Sequence, residues 1–303
     1  MAQRIVLAGG SGFLGQALAT RLLADGYEVH ILSRGAVARK IVGSVVSWDG
    51  ATVGPWLQSL EDAAAVVNLT GKSINCGPTA GNLRKIIHSR VAAVQALAEA
   101  IRRCRRPPRV FVQTSAVGIY GDAGNTLCDE STPPGAGKLS DICRQWEQAF
   151  EESQMPGSRR VVLRLGVVLG RGGGAFGPLA RLARWFLGGA AGGGRQYISW
   201  LHLADAVRMY RDALDRDDFQ GTYVAASPQP ATNAQFMRAL RAALGRPWSP
   251  PVPALAVRLG GWLTGINAEL VLAGQRCAPR RLMEQGFAFE FPELAAALRE
   301  LVG

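Results

Sequence analysis

Arg4-Ile5-Val6-Leu7-Ala8-Gly9-Gly10-Ser11-Gly12-Phe13-Leu14-Gly15 decides how the rest of the chain is read. Arg4–Ala8 is a short apolar run that ends at a glycine pair, the mark of a buried strand entering a turn. Phe13–Asp25 follows with Leu14, Leu18, Leu22 and Leu23 on one face, which is helical spacing. Between them Gly9 permits a tight turn, Gly12 leaves room for a diphosphate against the backbone, and Gly15 lets the helix pack closely. The open N–H groups and the dipole at the helix start favour an anion. Strand, loop, helix and second strand occur in the order this motif requires. The expectation is therefore dinucleotide binding through Gly9, Ser11, Gly12, Phe13, Leu14 and Gly15.

Outward from this stretch, apolar runs alternate with helical patterns. Candidate strands are Glu28–Ser33, Ser44–Trp48, Ala64–Asn68, Val110–Thr114 and Arg160–Leu165, with a long helix at Asn82–Arg103. Parallel crossovers need an intervening helix, so this alternation predicts an α/β, Rossmann-type doubly wound parallel sheet covered on both faces. After Gly170 the composition shifts. Arg171–Gly174 and Gly188–Gly194 are glycine-rich and flank an apolar, arginine-bearing helix at Pro178–Phe186. A proline-rich stretch, Pro247 to Pro253, then introduces helical segments and a short strand at Phe287–Phe291. The expected division is a dinucleotide-binding domain over 1–170, with 198–228 returning to it, and a small C-terminal α+β substrate lobe from 171–197 and 229–303.

The composition narrows the class. The chain has 303 residues, of which 48% are hydrophobic, enough for a sizeable core. No apolar run reaches the ~18 residues needed to cross a bilayer, and the N-terminus enters a strand at once, so no signal peptide and a cytoplasmic location are expected. The formal charge of +11 comes almost entirely from arginine, since only Lys40, Lys72, Lys85 and Lys138 are lysines. These basic residues are dispersed, without a stripe or interleaved aromatics, so neither nucleic acid nor membrane is expected as a partner. Cys76, Cys104, Cys128, Cys143 and Cys277 form no CxxC pair, and His30, His88 and His202 are scattered. Reduced thiols and no metal site follow.

Two further loops bear on the cofactor. Gly71-Lys72-Ser73 has the ending of a P-loop, but Val66 stands where that loop needs its first glycine; Lys72 reads instead as a loop residue beside the cofactor. NAD sites place Asp or Glu at the end of the second strand to hold the ribose 2′-hydroxyl. Ser33-Arg34 stands there instead. Arginine pairs with a 2′-phosphate and serine adds a hydrogen bond, so NADP(H) is the expected cofactor.

At these residues the chain resembles the extended short-chain dehydrogenase/reductase superfamily, and more closely its atypical branch of epimerase family proteins (YfcH-like, or SulA-like). The resemblance spans nearly the whole chain. It is carried further by Val67–Gly71, Ser89-Arg90, Thr114–Gly121, Trp146-Glu147, Leu163–Gly170, Ser199–His202 with Asp205, Gly274–Arg276 and Gly286-Phe287. It implies that Leu69, Thr70 and Gly71 line the cofactor, that Arg90 reaches it from the following helix, and that Val167 sits near the nicotinamide end. Thr70 and Lys72 replace the alanine and glutamate usual in such relatives, and Val224-Ala225 replaces an expected asparagine. Those departures bear on the substrate side.

Active members of that superfamily use Tyr-x-x-x-Lys, in which lysine lowers the phenol pKa for proton exchange. Four residues after Tyr27, Tyr120, Tyr197, Tyr210 and Tyr223 stand Ile31, Gly124, Leu201, Leu214 and Ser227. Aligning Glu147 with the glutamate that follows the motif puts Leu139 and Cys143 in the tyrosine and lysine positions. The remaining candidates are Ser115, in the position of the superfamily's catalytic serine, and Tyr120; their structural alternatives are a strand-end cap and a Tyr-Gly turn. Cys143 reads as a buried apolar residue, and His202 as a helix cap braced by Asp205. Two functions stay open: an epimerase, dehydratase or reductase of nucleoside-diphosphate sugars with a rearranged acid/base set, or a non-catalytic NADPH-binding regulatory or scaffold protein. The expected partner is an unidentified small-molecule substrate, and a homodimer is the candidate assembly.

Overall fold

The structure, a computed structural model, describes residues 2–35, 41–77, 79–264 and 268–303. Chain order begins β1 (Arg4–Ala8), α1 (Phe13–Ala24), β2 (Glu28–Ser33), β3 (Ser44–Ser47), β4 (Ala65–Asn68), α2 (Ala80–Arg103) and β5 (Val110–Ala116). A two-residue strand, β6 (Leu127–Cys128), precedes α3 (Lys138–Glu152) and β7 (Arg159–Leu165). Next come β8 (Val167–Gly170), β9 (Gly173–Gly174), α4 (Phe176–Arg184), β10 (Tyr197–Ile198), β11 (Trp200–His202), α5 (Leu203–Asp215) and β12 (Gly221–Ala225). The remainder holds β13 (Ala231–Thr232), α6 (Asn233–Ala243), α7 (Ala254–Thr264), α8 (Glu269–Leu272), β14 (Arg276–Cys277), α9 (Arg280–Glu284) and α10 (Leu294–Val302).

Seven strands make one parallel sheet in the order β12-β7-β5-β4-β1-β2-β3. The six strands expected from sequence are all present, with ends shifted by a residue or two, and β12 adds the far edge. Because side chains alternate across a strand, Ile5 and Leu7 enter one core with Leu18 and Leu22 of α1 and Met209 and Tyr210 of α5. Val6 and Ala8 enter the other, with Leu97 and Ile101 of α2 and Trp146 and Phe150 of α3. The sheet is thus apolar on both faces, as a parallel sheet must be. Strand order reverses beside β1, whose neighbours are β2 and β4. A crevice opens at the carboxyl ends of strands at such a point.

The lobe has its own core. Phe176 and Ala180 of α4, Phe236, Met237 and Leu240 of α6, and Leu298 and Leu301 of α10 close around Trp200. A capping box starts α6, where Thr232 and Gln235 exchange side-chain and backbone bonds.

Two expectations need correction. The helix placed at Pro178–Phe186 runs from Phe176 to Arg184 instead, since Phe186 takes a left-handed φ of 59° that ends it. Phe287–Phe291 forms no strand. Its alternating phenylalanines pack against different partners, Phe287 and Phe289 edge-on to each other at 4.9 Å beside the main core and Phe291 on the His202 ring at 3.9 Å. The backbone donors that a neighbouring strand would take go to a carboxylate: Glu290 N and Phe291 N donate to Asp205 at 2.7 and 3.0 Å. Asp205 is therefore not the brace of His202. That histidine does cap α5, accepting from Ala204 N at 3.2 Å, and its Nε2 donates to Glu300 at 3.1 Å.

Asp205 is fully buried, so Asp205→Ala strands two amide donors. We expect a loss of about 3 kcal/mol in urea unfolding, with Asp205→Asn recovering part of it. An unchanged midpoint for the alanine variant would show that this contact does not tie the 287–291 segment to α5.

Candidate functional site

The glycine loop fits its surroundings tightly everywhere but one place. Gly9 has φ +74°, and a Cβ there would lie 3.1 Å from the backbone of Leu69 and Thr70. A Cβ on Gly15 would lie 2.5 Å from the backbone of Gly10, so the closeness it permits is to the loop itself more than to the sheet. At Gly12 the nearest atom to a Cβ would be Gly9 O at 3.8 Å. Gly12 caps α1 without any side-chain bond, leaving first-turn N–H groups directed into a cleft.

That cleft, of about 420 Å³, runs along the carboxyl ends of β1, β2, β3 and β4. The loop contributes Gly9, Ser11 and Gly12; the end of β2 contributes Ser33 and Arg34; the loop after β4 contributes Leu69, Thr70, Gly71 and Lys72. Gly9 N donates to Leu32 O at 2.9 Å, and Ser33 Oγ to Ser11 Oγ at 3.3 Å, so the loop is fixed to the second strand. Among the described residues the Arg34 guanidinium has no hydrogen-bond or ion-pair partner. Thr70 is held by Asn68, whose Oδ1 accepts from its amide and its hydroxyl at 3.1 and 2.6 Å.

Sequence reading missed the wall opposite the glycine loop: Trp48, Asp49 and Gly50, with His88, Ser89 and Ala92 of α2. The strand that this Asp-Gly turn closes pairs with β2, which brings the turn to the same crevice. Asp49 turns its carboxylate into its own loop, taking amides of Ala51 and Thr52 at 2.8 Å each and the Thr52 hydroxyl. The hydroxyl bond, then the amides, hold it below the usual carboxylate range.

Other expected residues stand apart from this lining. The Phe13 ring covers Gly170, Gly173 and Gly174 of β8 and β9, and Leu14 packs on the main core; each could offer only its amide to the cleft. Arg90 lies beneath the loop, where its Nη1 donates to Lys72 O at 2.9 Å and its guanidinium stacks 4.9 Å from the Trp146 ring. A Cβ on Gly71 would come within 2.9 Å of the Arg90 Cζ, so the guanidinium lies close against this loop. Val167 is exposed at the start of β8, outside the lining. Among the described residues no cluster of three or more His, Cys, Asp or Glu could hold a metal ion.

Ser115 and Tyr120 meet in a buried polar network. Ser115 Oγ donates to Glu147 Oε1 at 2.5 Å. Arg164 grips the same carboxylate, Nη2 to Oε2 at 2.8 Å and Nε to Oε1 at 3.0 Å. Its Nη1 donates to Tyr120 Oη at 3.0 Å, and that hydroxyl donates to Asp129 O at 2.7 Å. Burial pushes the Tyr120 phenol above its ordinary value, with only partial relief from Arg164. Cys143, in the lysine position of the resemblance, is pushed up to about 12 by burial and by Glu147. Both hydroxyls are committed to protein partners, and neither of these two titratable groups changes charge near neutral pH.

Glu147→Gln keeps the shape and leaves a buried guanidinium without its counter-charge. Such losses cost about 3–5 kcal/mol, measurable by denaturant unfolding. A loss below about 1 kcal/mol would mean that water screens the pair as at a surface.

Residues 5–226 match the model of the NAD dependent epimerase/dehydratase family, and residues 252–301 match a domain of unknown function, DUF1731. Human epimerase family protein SDR39U1 is 35% identical over 305 residues, covering 99% of both chains. Epimerase family protein YfhF of Bacillus subtilis is 33% identical over 301 residues, covering 98% of this chain and 97% of its own. The crystal structure of human SDR39U1 (isoform2) with NADPH superposes with a TM-score of 0.88 at 34% identity, covering 99% of each chain. The chain belongs to the NAD-dependent epimerase/dehydratase family.

Proposed function

We propose that this protein binds NADPH in the cleft at the carboxyl ends of β1 to β4. The observation that carries the reading is Ser33 beside Arg34 at the cleft's rim, where an NAD site would present a carboxylate. The human relative crystallised with NADPH supports it. The space in front of Gly12, where a Cβ would touch only Gly9 O, at 3.8 Å, fits a diphosphate close to the first-turn amides of Phe13, Leu14 and Gly15. Arg34 would pair with the 2′-phosphate. Leu69, Thr70 and Gly71 would flank the diphosphate and the ribose beyond it, with Arg90 fixing their loop from below. Val167 would stand toward the nicotinamide. Bound there, NADPH supplies a hydride.

What this chain's residues add at the reacting end favours the non-catalytic reading. The superfamily's tyrosine and lysine positions hold Leu139 and Cys143, while Ser115 and Tyr120 are spent on the Glu147–Arg164 pair. A protein whose NADPH-bound state is read by something else suits that arrangement better than epimerisation or reduction of nucleoside-diphosphate sugars through a Tyr-Lys pair.

Calorimetric titration separates the parts. NADPH should bind more tightly than NADH, and Arg34→Ala should weaken NADPH alone, by about 1.5–3 kcal/mol. Equal curves for the two cofactors would overturn the assignment; folded Gly12→Val should bind neither. With NADPH bound, turnover of nucleoside-diphosphate sugars should be very weak, since loss of acid/base assistance costs about 10²–10⁴ in rate. Robust turnover that falls in both Ser115→Ala and Tyr120→Phe would restore the enzymatic reading.

A further inference from the structure

Half of the large apolar side chains exposed among the described residues fall in two segments of the lobe: Leu182, Trp185, Phe186 and Leu187 in one, Trp248, Leu255 and Leu259 in the other. Trp185 is 75% exposed and Trp248 64%. The two segments that carry them are joined into one surface. Gly192 N donates to Val252 O and Val252 N to Ala190 O, each at 2.8 Å. Arg241 Nη1 donates to Gly188 O at 2.7 Å, and Arg246 lies 5.1 Å over the Phe186 ring.

The backbone holds this face outward against local preference. Leu187 N donates back to Leu182 O at 2.9 Å, closing the end of α4 with Phe186 at φ 59°. Glycine usually takes that position, and a bulky residue there is strained. Leu255 and Leu259 are one turn apart on α7, so they share a face. Isolated exposed apolar residues need no explanation, but a contiguous group of this kind marks an interaction surface.

Charge identifies the partner. No Asp or Glu occurs from Ser153 to Ala204 or from Phe219 to Ala268, and Arg181, Arg184, Arg246 and Arg258 belong to the segments that carry this face. A second copy would set arginine against arginine. We propose that this face docks on an anionic lipid surface, with the two tryptophans and the α7 leucines entering the headgroup boundary and the arginines pairing with lipid phosphates. Among the described residues no helix is long and apolar enough to cross a membrane; the contact is peripheral, and it revises the expectation that membranes take no part.

The test is co-sedimentation of the intact protein with vesicles of phosphatidylglycerol and phosphatidylcholine, and with phosphatidylcholine alone. Binding should require phosphatidylglycerol and weaken with salt. Trp185→Ser with Trp248→Ser should lower it about tenfold or more, and Arg184→Gln or Arg258→Gln about fivefold per charge. Unchanged NADPH affinity and circular dichroism would certify the variants as folded. No binding at low ionic strength, equal binding to both vesicle types, or variants that bind like the parent would each overturn the proposal. So would self-association, or capture of an acidic protein instead of lipid, through the same residues.

Discussion

Arg164 of β7 and Glu147 of α3 meet largely buried in the interior, and four segments take their positions from that contact. Ser115 hangs the end of β5 on the carboxylate, and Tyr120 hangs the following turn on the guanidinium. A folded domain is stable by only about 5–15 kcal/mol, and breaking a buried pair costs about a third of that. The end of β5 and its following turn are therefore fixed by electrostatics, while the cleft ends of β1, β2 and β4 are shaped by glycine and by short hydrogen bonds. Rigidity on one side and a preformed crevice on the other come from different chemistry in the same sheet.

The contrast bears on what the protein does. Ser115 and Tyr120 are the hydroxyls nearest to a conventional acid/base position, and the pair absorbs both. Gly12 and Arg34 face the cleft, with Asp49, the acidic side chain among the lining residues, folded back into its own turn. Polar groups of this chain are thus open to a ligand at the phosphate-binding end and closed to one along the buried network.

Much of this was legible in the sequence where one residue type had a single physical use. Gly9 must turn with positive φ, and Ser33-Arg34 can only end β2, so the loop, the sheet and the cofactor class followed. Periodicity also gave the strands, because a parallel sheet leaves continuous apolar runs. Partnerships across distance were not legible. Phe287–Phe291 has a strand's alternation, yet its amides belong to Asp205, some eighty-five residues earlier. His202 and Asp205 look like partners at three residues' spacing, but the cap geometry at the start of α5 sends one to Glu300 and the other to the 287–291 segment. Trp48–Gly50 was overlooked because nothing in a Trp-Asp-Gly turn specifies a ligand until its strand is known to lie beside β2. The committed state of Ser115 and Tyr120 was hidden for the same reason: the ion pair joins residues seventeen apart.

The lobe's core has a consequence for how the molecule is made. α4, α6 and α10 close on one another around Trp200, yet fifty residues separate the end of α6 from the start of α10. Domains emerging from the ribosome tend to fold as units, N-terminal parts first. Here β1 through β5 can assemble early, but α4 and α6 must wait with a bare apolar face until α10 has been synthesised. During that interval the nascent chain presents Phe176, Phe236 and Leu240 to solvent, and it is then that a chaperone would find most to hold.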